Sequence, residues 1–221
     1  MDWFRAVNSY CERTDPGIWS EPVNAATNAA FLLAAFLCWR MVGARRDPGA
    51  ALLCVVLAAI GVGSFLFHTF AQVWALMADV LPILAFILIY IHLATVRFLG
   101  APVWVGLLVA FAYVPFSAIS ARGVEVVAGP MNGSVGYTPV VILLAAYAAI
   151  LWRGSPSTAR GLALAAAVLC LSLAFRTLDA GICAAFPLGT HFVWHLLNGA
   201  LLGWLILVLA RHDQCGVART G

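Results

Sequence analysis

Charge is scarce in this 221-residue chain. Asp, Glu, Lys and Arg make up 10% of it, where a soluble domain carries about a quarter. Lysine is missing altogether: all twelve basic residues are arginine, and no functional reading attaches to that. With 64% of residues hydrophobic, there is no room for a water-soluble domain beside a membrane-embedded one. No internal repeat or low-complexity segment is present, and no pair of interrupted hydrophobic segments marks a transporter built from repeats. The first 21 residues hold Asp2, Arg5, Glu12, Arg13, Asp15 and Glu21. They lack the basic start and apolar core of a signal peptide, so this segment is expected to be retained. The net charge of +3 is small, and no nucleic-acid partner is expected.

What the chain does have is long apolar runs. A helix needs about 20 mostly apolar residues to cross a bilayer. Seven stretches qualify, over roughly 22–42, 50–71, 74–98, 103–120, 130–152, 160–180 and 187–210. Breakers separate them at "GARRDPG" (43–49), "LGAP" (99–102) and "RGSPS" (153–157). The second and third runs are joined by so short a link that they predict a tight antiparallel hairpin. The glycine-rich "GPMNGSVGYTP" (129–139) predicts a partly looped start to the fifth. The expected fold is all-α, a single seven-helix membrane domain over 1–221, with an N-terminal segment (1–21), the bundle (22–210) and a tail (211–221). Arginine placement predicts orientation. Arg40, Arg45, Arg46, Arg97, Arg153, Arg160, Arg211 and Arg219 fall on one side; Arg5, Arg13, Arg122 and Arg176 fall on the other. The expectation is an N-terminus outside or in a lumen and a cytoplasmic C-terminus. The host membrane would be a bacterial inner membrane or, in a eukaryote, the ER or Golgi.

On that topology the costly polar residues share one level. Ser64 and His68 lie near the outer end of the second helix. Asp79 lies about one and a half turns into the third. His191 and His195 lie near the outer end of the seventh. Ionisable residues at membrane depth are functional candidates. His191 and His195, four apart, project from one helix face and can grip one metal ion. With His68 they make a three-histidine set of the kind that holds catalytic zinc and leaves a position open. Zinc lowers the pKa of its water to about 7 and polarises a carbonyl. Asp79 is placed to take or orient the water's proton, and Ser64 to hydrogen-bond the substrate carbonyl or its oxyanion. That set points to hydrolysis of an amide or ester. The plainer reading makes each histidine an interhelical hydrogen-bonding residue, worth about 0.6 kcal/mol. That reading is preferred for His92, and His212 is expected to be solvated. Arg176 and Asp179, three apart, predict a salt bridge, with support of a histidine as the other role for Asp179.

The stretches "SFLFHTF" (64–70), "ALMADVLPI" (75–83) and "HFVWHLLNG" (191–199) resemble the S-x-x-x-H, D-x-x-P and H-x-x-x-H signatures of the alkaline ceramidases. These are seven-helix membrane hydrolases of a superfamily that also holds adiponectin-receptor-like and lipid-anchor-remodelling proteins. The resemblance covers nearly the whole chain. It implies zinc on His68, His191 and His195, catalytic roles for Ser64 and Asp79, and cleavage of the N-acyl bond of ceramide to a sphingoid base and a fatty acid. The lipid's tails would lie among residues such as Phe65, Phe67 and Leu81. "SYCERTDPGIWSEPVNAATNAAF" (9–31) is similar to the family's calcium-binding segment. That similarity implies calcium ligands at Glu12 and Glu21, the backbone carbonyl of Tyr10, and Asp15 in compensation, with Asn24 and Asn28 matching the start of the first helix. It departs from the family at Ser9, where the family has an acid, at Thr14, where it has asparagine, and in a shorter loop. The family pairs cysteines at positions matching Cys11 and Cys183, both on the oxidising side of the expected topology. Cys38, Cys54, Cys170 and Cys215 are expected to be unpaired. The competing readings are an acyl-ester hydrolase of the same superfamily and a non-enzymatic receptor with a structural metal.

Overall fold

A computed structural model describes residues 2–217; Arg219 lies outside the described residues, as do the side chains of Arg45, Arg46 and Cys215. The described residues are helical almost throughout: α1 (Pro22–Thr27), α2 (Ala29–Arg46), α3 (Pro48–Phe70), α4 (Val73–Leu99), α5 (Val103–Ala128), a 3-10 helix (Met131–Tyr137), α6 (Thr138–Leu151), α7 (Pro156–Ile182) and α8 (His191–Val217). Seven of the resulting segments are long and apolar enough to span a membrane, α1 with α2 counting as the first and the 3-10 helix with α6 as the fifth. The protein is an integral, multi-pass membrane protein with an all-α, seven-helix fold.

Several boundaries depart from the sequence reading, among them the start of α7 at Pro156 instead of Arg160. α5 runs eight residues past Ser120, through Glu125 to Ala128; the stretch has no proline, and the helix carries Gly123 at its modest cost until Gly129 ends it with positive φ. The final span starts at His191 instead of Pro187, since Gly189 turns with positive φ just before it. α8 continues through 211–217, so the expected tail is mostly helix. The fifth span does begin irregularly, with Asn132 and Gly133 in left-handed backbone conformations.

Helix ends follow local chemistry. Asp47 caps α3, accepting from Ala50 N at 3.0 Å, with Pro48 in the first turn. Asp47 also receives both Nη atoms of Arg97 at 2.7 and 2.8 Å, which ties the start of α3 to the end of α4. At the other end of this hairpin, Ala71 takes a left-handed conformation and Gln72 starts α4. The N-terminal segment pairs with that turn: Val7 N donates to Ala71 O, and Val73 N and Trp74 N donate to Arg5 O and Trp3 O.

Close backbone approach sets the middle of the bundle. Pro82 lies inside α4 and has no N–H to give Ala78, four residues back. Gly63 of α3 packs against that carbonyl, and a Cβ at Gly63 would collide with Ala78 O. Gly199 and Gly203 of α8 face Ala30, Ala34 and Cys38 of α2 in the same manner, the small-residue packing favoured between membrane helices. The core runs from Phe31 and Trp194 down to Leu209.

Candidate metal centre and its surroundings

His68 sits in the last turn of α3, His191 opens α8, and His195 follows one turn later. All three are fully buried. Their ring centroids lie 4.5–5.1 Å apart, and one ring nitrogen of each lies within 4.8 Å of the other two. Among the described residues this is the one such group of histidine, cysteine and carboxylate side chains.

For His68 and His195 the neighbours fix which nitrogen carries the proton. His68 Nδ1 is 2.6 Å from Glu21 Oε2; a carboxylate only accepts, so Nδ1 carries the proton and Nε2 the lone pair. His195 Nδ1 is 2.9 Å from Thr27 Oγ1. Thr27 already directs its single hydroxyl proton at the carbonyls of Val23 and Asn24, so it accepts from His195, and Nε2 again holds a lone pair. His191 is gripped through its ring faces, stacked on Tyr10 at 3.6 Å and on Trp194 at 5.1 Å between centroids. His68 Nε2, His191 Nδ1 and His195 Nε2 are buried with no protein hydrogen-bond partner. Leaving a buried polar atom unpaired costs about 1–3 kcal/mol. With one nitrogen of each ring within 4.8 Å of the others, and two tautomers set by a carboxylate or hydroxyl behind the ring, the group could hold a metal ion.

Ser64 and Asp79 are buried beside this group. The Gly63–Ala78 approach brings their backbones together across α3 and α4, and the Asp79 carboxyl faces Ser64 within electrostatic reach of His68 and Arg176. Ser64 Oγ and Asp79 Oδ1 have no hydrogen bond to the protein at standard geometry. The site therefore gathers all five residues picked out from the sequence.

The residues expected to hold calcium have partners within the protein. Glu12 spends both carboxylate oxygens on the first turn of α1, accepting from Val23 N at 2.7 Å and Asn24 N at 2.8 Å. Asp15 is exposed and closes its own turn onto Gly17 N. Tyr10 O accepts from Arg13 N, and the residue's main contact is its ring on His191. Glu21 faces His68, Arg13 and Asn24. Burial opposes ionisation of Glu21, but hydrogen bonds from His68, Arg13 and Asn24 outweigh it and hold the carboxyl below its ordinary value. Asn24 and Asn28 are buried on α1 and just after it, each with an unpartnered Oδ1.

Asp179 does not pair with Arg176. Its carboxylate accepts from Thr190 N and His191 N at 2.7 and 2.9 Å, capping α8, and from Cys11 N at 3.1 Å. It meets His191 at the backbone N–H and not at the ring, so it is a helix cap and neither of the two roles expected of it. Arg176 instead donates to Asn132 O at 2.6 Å and lies over the rings of Tyr10 and Tyr137. Cys11 and Cys183 form a disulfide, Cα–Cα 5.3 Å, which fastens the N-terminal segment over the histidines. Cys38, Cys54 and Cys170 are free. His92 stays away from the site, with Nδ1 buried against Gly106 and unpartnered. His212 is only partly exposed: it is half-buried, bonded to Thr158 Oγ1 at 2.9 Å and edge-on to Phe98.

Below the histidines lies a small apolar cavity of about 50 Å³ lined by Phe31, Ile60, Phe86, Leu169, Trp194 and Leu205, among others. Phe31 and Trp194 also touch the ring of His195, so the apolar chamber opens beside the polar group. Of the residues expected to surround lipid tails, Phe67 is buried, but Phe65 and Leu81 are exposed on the outside of the bundle; at their positions on α3 and α4 the side chains point away from the bundle interior. The sequence reading did not find Thr27, the ring of Tyr10 or Arg13. Each is a neighbour supplied by a remote part of the chain, and no spacing in the sequence marks it. No family model matches the chain, and no curated protein matches it.

Proposed function

We propose that this protein is a zinc-dependent hydrolase embedded in the membrane, cleaving the N-acyl bond of ceramide or a related N-acyl lipid. One observation carries the reading. Three buried histidines bring one ring nitrogen each within 4.8 Å of the other two, next to Ser64 and Asp79 and beside a small apolar cavity. His68, His191 and His195 would hold zinc, which supplies an activated water and a polarised carbonyl. The resemblance to the alkaline ceramidases adds the substrate class. The arginine bias and the disulfide at this end of the bundle support an outer or lumenal location.

The remaining chemistry belongs to the chain's own groups. The small apolar cavity would widen between the helices to take an acyl chain and leave the amide at its polar end. Asp79 accepts a proton as water adds to the carbonyl carbon and returns it to the departing nitrogen. Ser64 donates a hydrogen bond to the oxygen that gains charge. The C–N bond breaks, giving a fatty acid and an amine. The disulfide-fastened segment shields the site from bulk water.

The test is fatty-acid release from ceramides of several chain lengths, run with metal analysis on the same preparation. Wild type should release fatty acid. Ser64→Ala and Asp79→Ala should lose about 10²–10⁴ in rate, the usual worth of a proton-transfer group, while retaining zinc. Zinc-loaded wild type that releases nothing from any N-acyl lipid contradicts the proposal.

A further inference from the structure

The buried Arg13 guanidinium is caged entirely by oxygen. Nε donates to Glu21 Oε1 at 2.5 Å, Nη1 to the carbonyls of Gly17 and Asp15 at 3.1 and 3.3 Å, and Nη2 to the carbonyl of His68 at 3.0 Å. One carboxylate and three backbone carbonyls are the ligand chemistry of a hard cation such as calcium. Here a side chain of the protein fills it. The same Glu21 turns its other oxygen to His68 Nδ1, and the His68 carbonyl belongs to the last turn of α3, where carbonyls lack helical partners and a positive charge is favoured.

We propose that Arg13 is a built-in cation that holds Glu21 and the end of α3, so that this site is organised without bound calcium. The expected calcium set does not fit the residues present. Glu12 is used by α1, Asp15 is turned out, and Glu21 is committed to Arg13 on one oxygen and His68 on the other. The amide oxygens of Asn24 and Asn28 are two neutral donors, where calcium takes six to eight oxygens. A guanidinium in the cage also repels a divalent ion. Arg13 is thus a positioning residue: it touches the carboxylate behind His68, and through it fixes the ring that presents Nε2 to the site. This last point rests on the metal-centre reading above; the absence of a calcium requirement does not.

The experiment uses the intact, detergent-solubilised protein in calcium-stripped buffer with zinc held constant. Calcium content is measured by mass spectrometry after exposure to about 1 mM calcium, a level that fills even the weak extracellular class of sites. The thermal midpoint is recorded with and without the ion. Wild type should retain no stoichiometric calcium and show no shift in midpoint. About one calcium per chain with a raised midpoint would overturn the proposal. Arg13→Ala should lower zinc affinity about 10–100-fold, as loss of support behind a ligand does. A folded Arg13→Ala protein that keeps wild-type zinc affinity would overturn the positioning role. Should that variant fail to fold, the wild-type calcium measurement still decides. Neither arm measures lipid hydrolysis, so failure of the substrate assignment leaves this result readable.

Discussion

At the scale of single residues, the site is defined by what stands behind each ring. Glu21 is the clearest instance. It was legible as an acidic residue next to the first helix, but its similarity to a calcium ligand gave no sign of His68 as a neighbour. The fold turns it to His68, 47 positions away. Glu21→Gln keeps the shape but can offer its NH₂ to His68 Nδ1, which frees the ring to take the other tautomer. Zinc affinity should fall about 10–100-fold, read by competition with a chromogenic chelator; an unchanged affinity would show that Glu21 does not set the ring. The histidines, Ser64 and Asp79 were legible because ionisable and hydroxyl groups are conspicuous in an apolar sequence. Thr27, Tyr10 and Arg13 were not, because their value lies in a partner that only tertiary packing supplies.

At the scale of elements, the α3–α4 hairpin does most of the positioning. One end is closed by Asp47, which caps α3 and pairs with Arg97. The other end carries Ser64, His68 and Asp79, with Gly63 letting the helices meet at the carbonyl that Pro82 leaves free. The hydrogen bonds from Arg97 hold the Asp47 carboxyl below its ordinary value, against the opposing effect of burial. A lowered acid contributes stability above its unfolded pKa, about 3.9 for aspartate, and loses it as pH falls through the folded value. Asp47→Ala should therefore cost about 1 kcal/mol near neutral pH, mainly as a lost cap. The difference from wild type should vanish in strong acid. Equal thermal midpoints at neutral pH would show that the cap contributes nothing. The seven spans were legible from hydropathy and length. The length of α5 and the start of α8 were not: hydropathy falls off before α5 ends, and α8 begins only after the Gly189 turn, where Asp179 at the end of α7 accepts its first amides.

For the whole molecule, the N-terminal segment behaves as a lid fixed at several points. It pairs with the α3–α4 turn, caps α1 through Glu12, grips the end of α3 through Arg13, and is bonded to the loop after α7 through Cys11–Cys183. Cys183→Ser should lower stability by about 2–5 kcal/mol, the usual cost of losing a native disulfide, and should raise protease cleavage within 1–21. Cleavage unchanged from wild type would mean that the other contacts suffice to hold the segment. The central claim is that His68, His191 and His195 share one ion. The most direct measurement is the zinc content of purified wild type beside the three single His→Ala variants. The account expects about one zinc per chain in wild type and its loss in each variant. A wild-type protein without bound metal after growth in zinc, or any one variant retaining full occupancy, would contradict it.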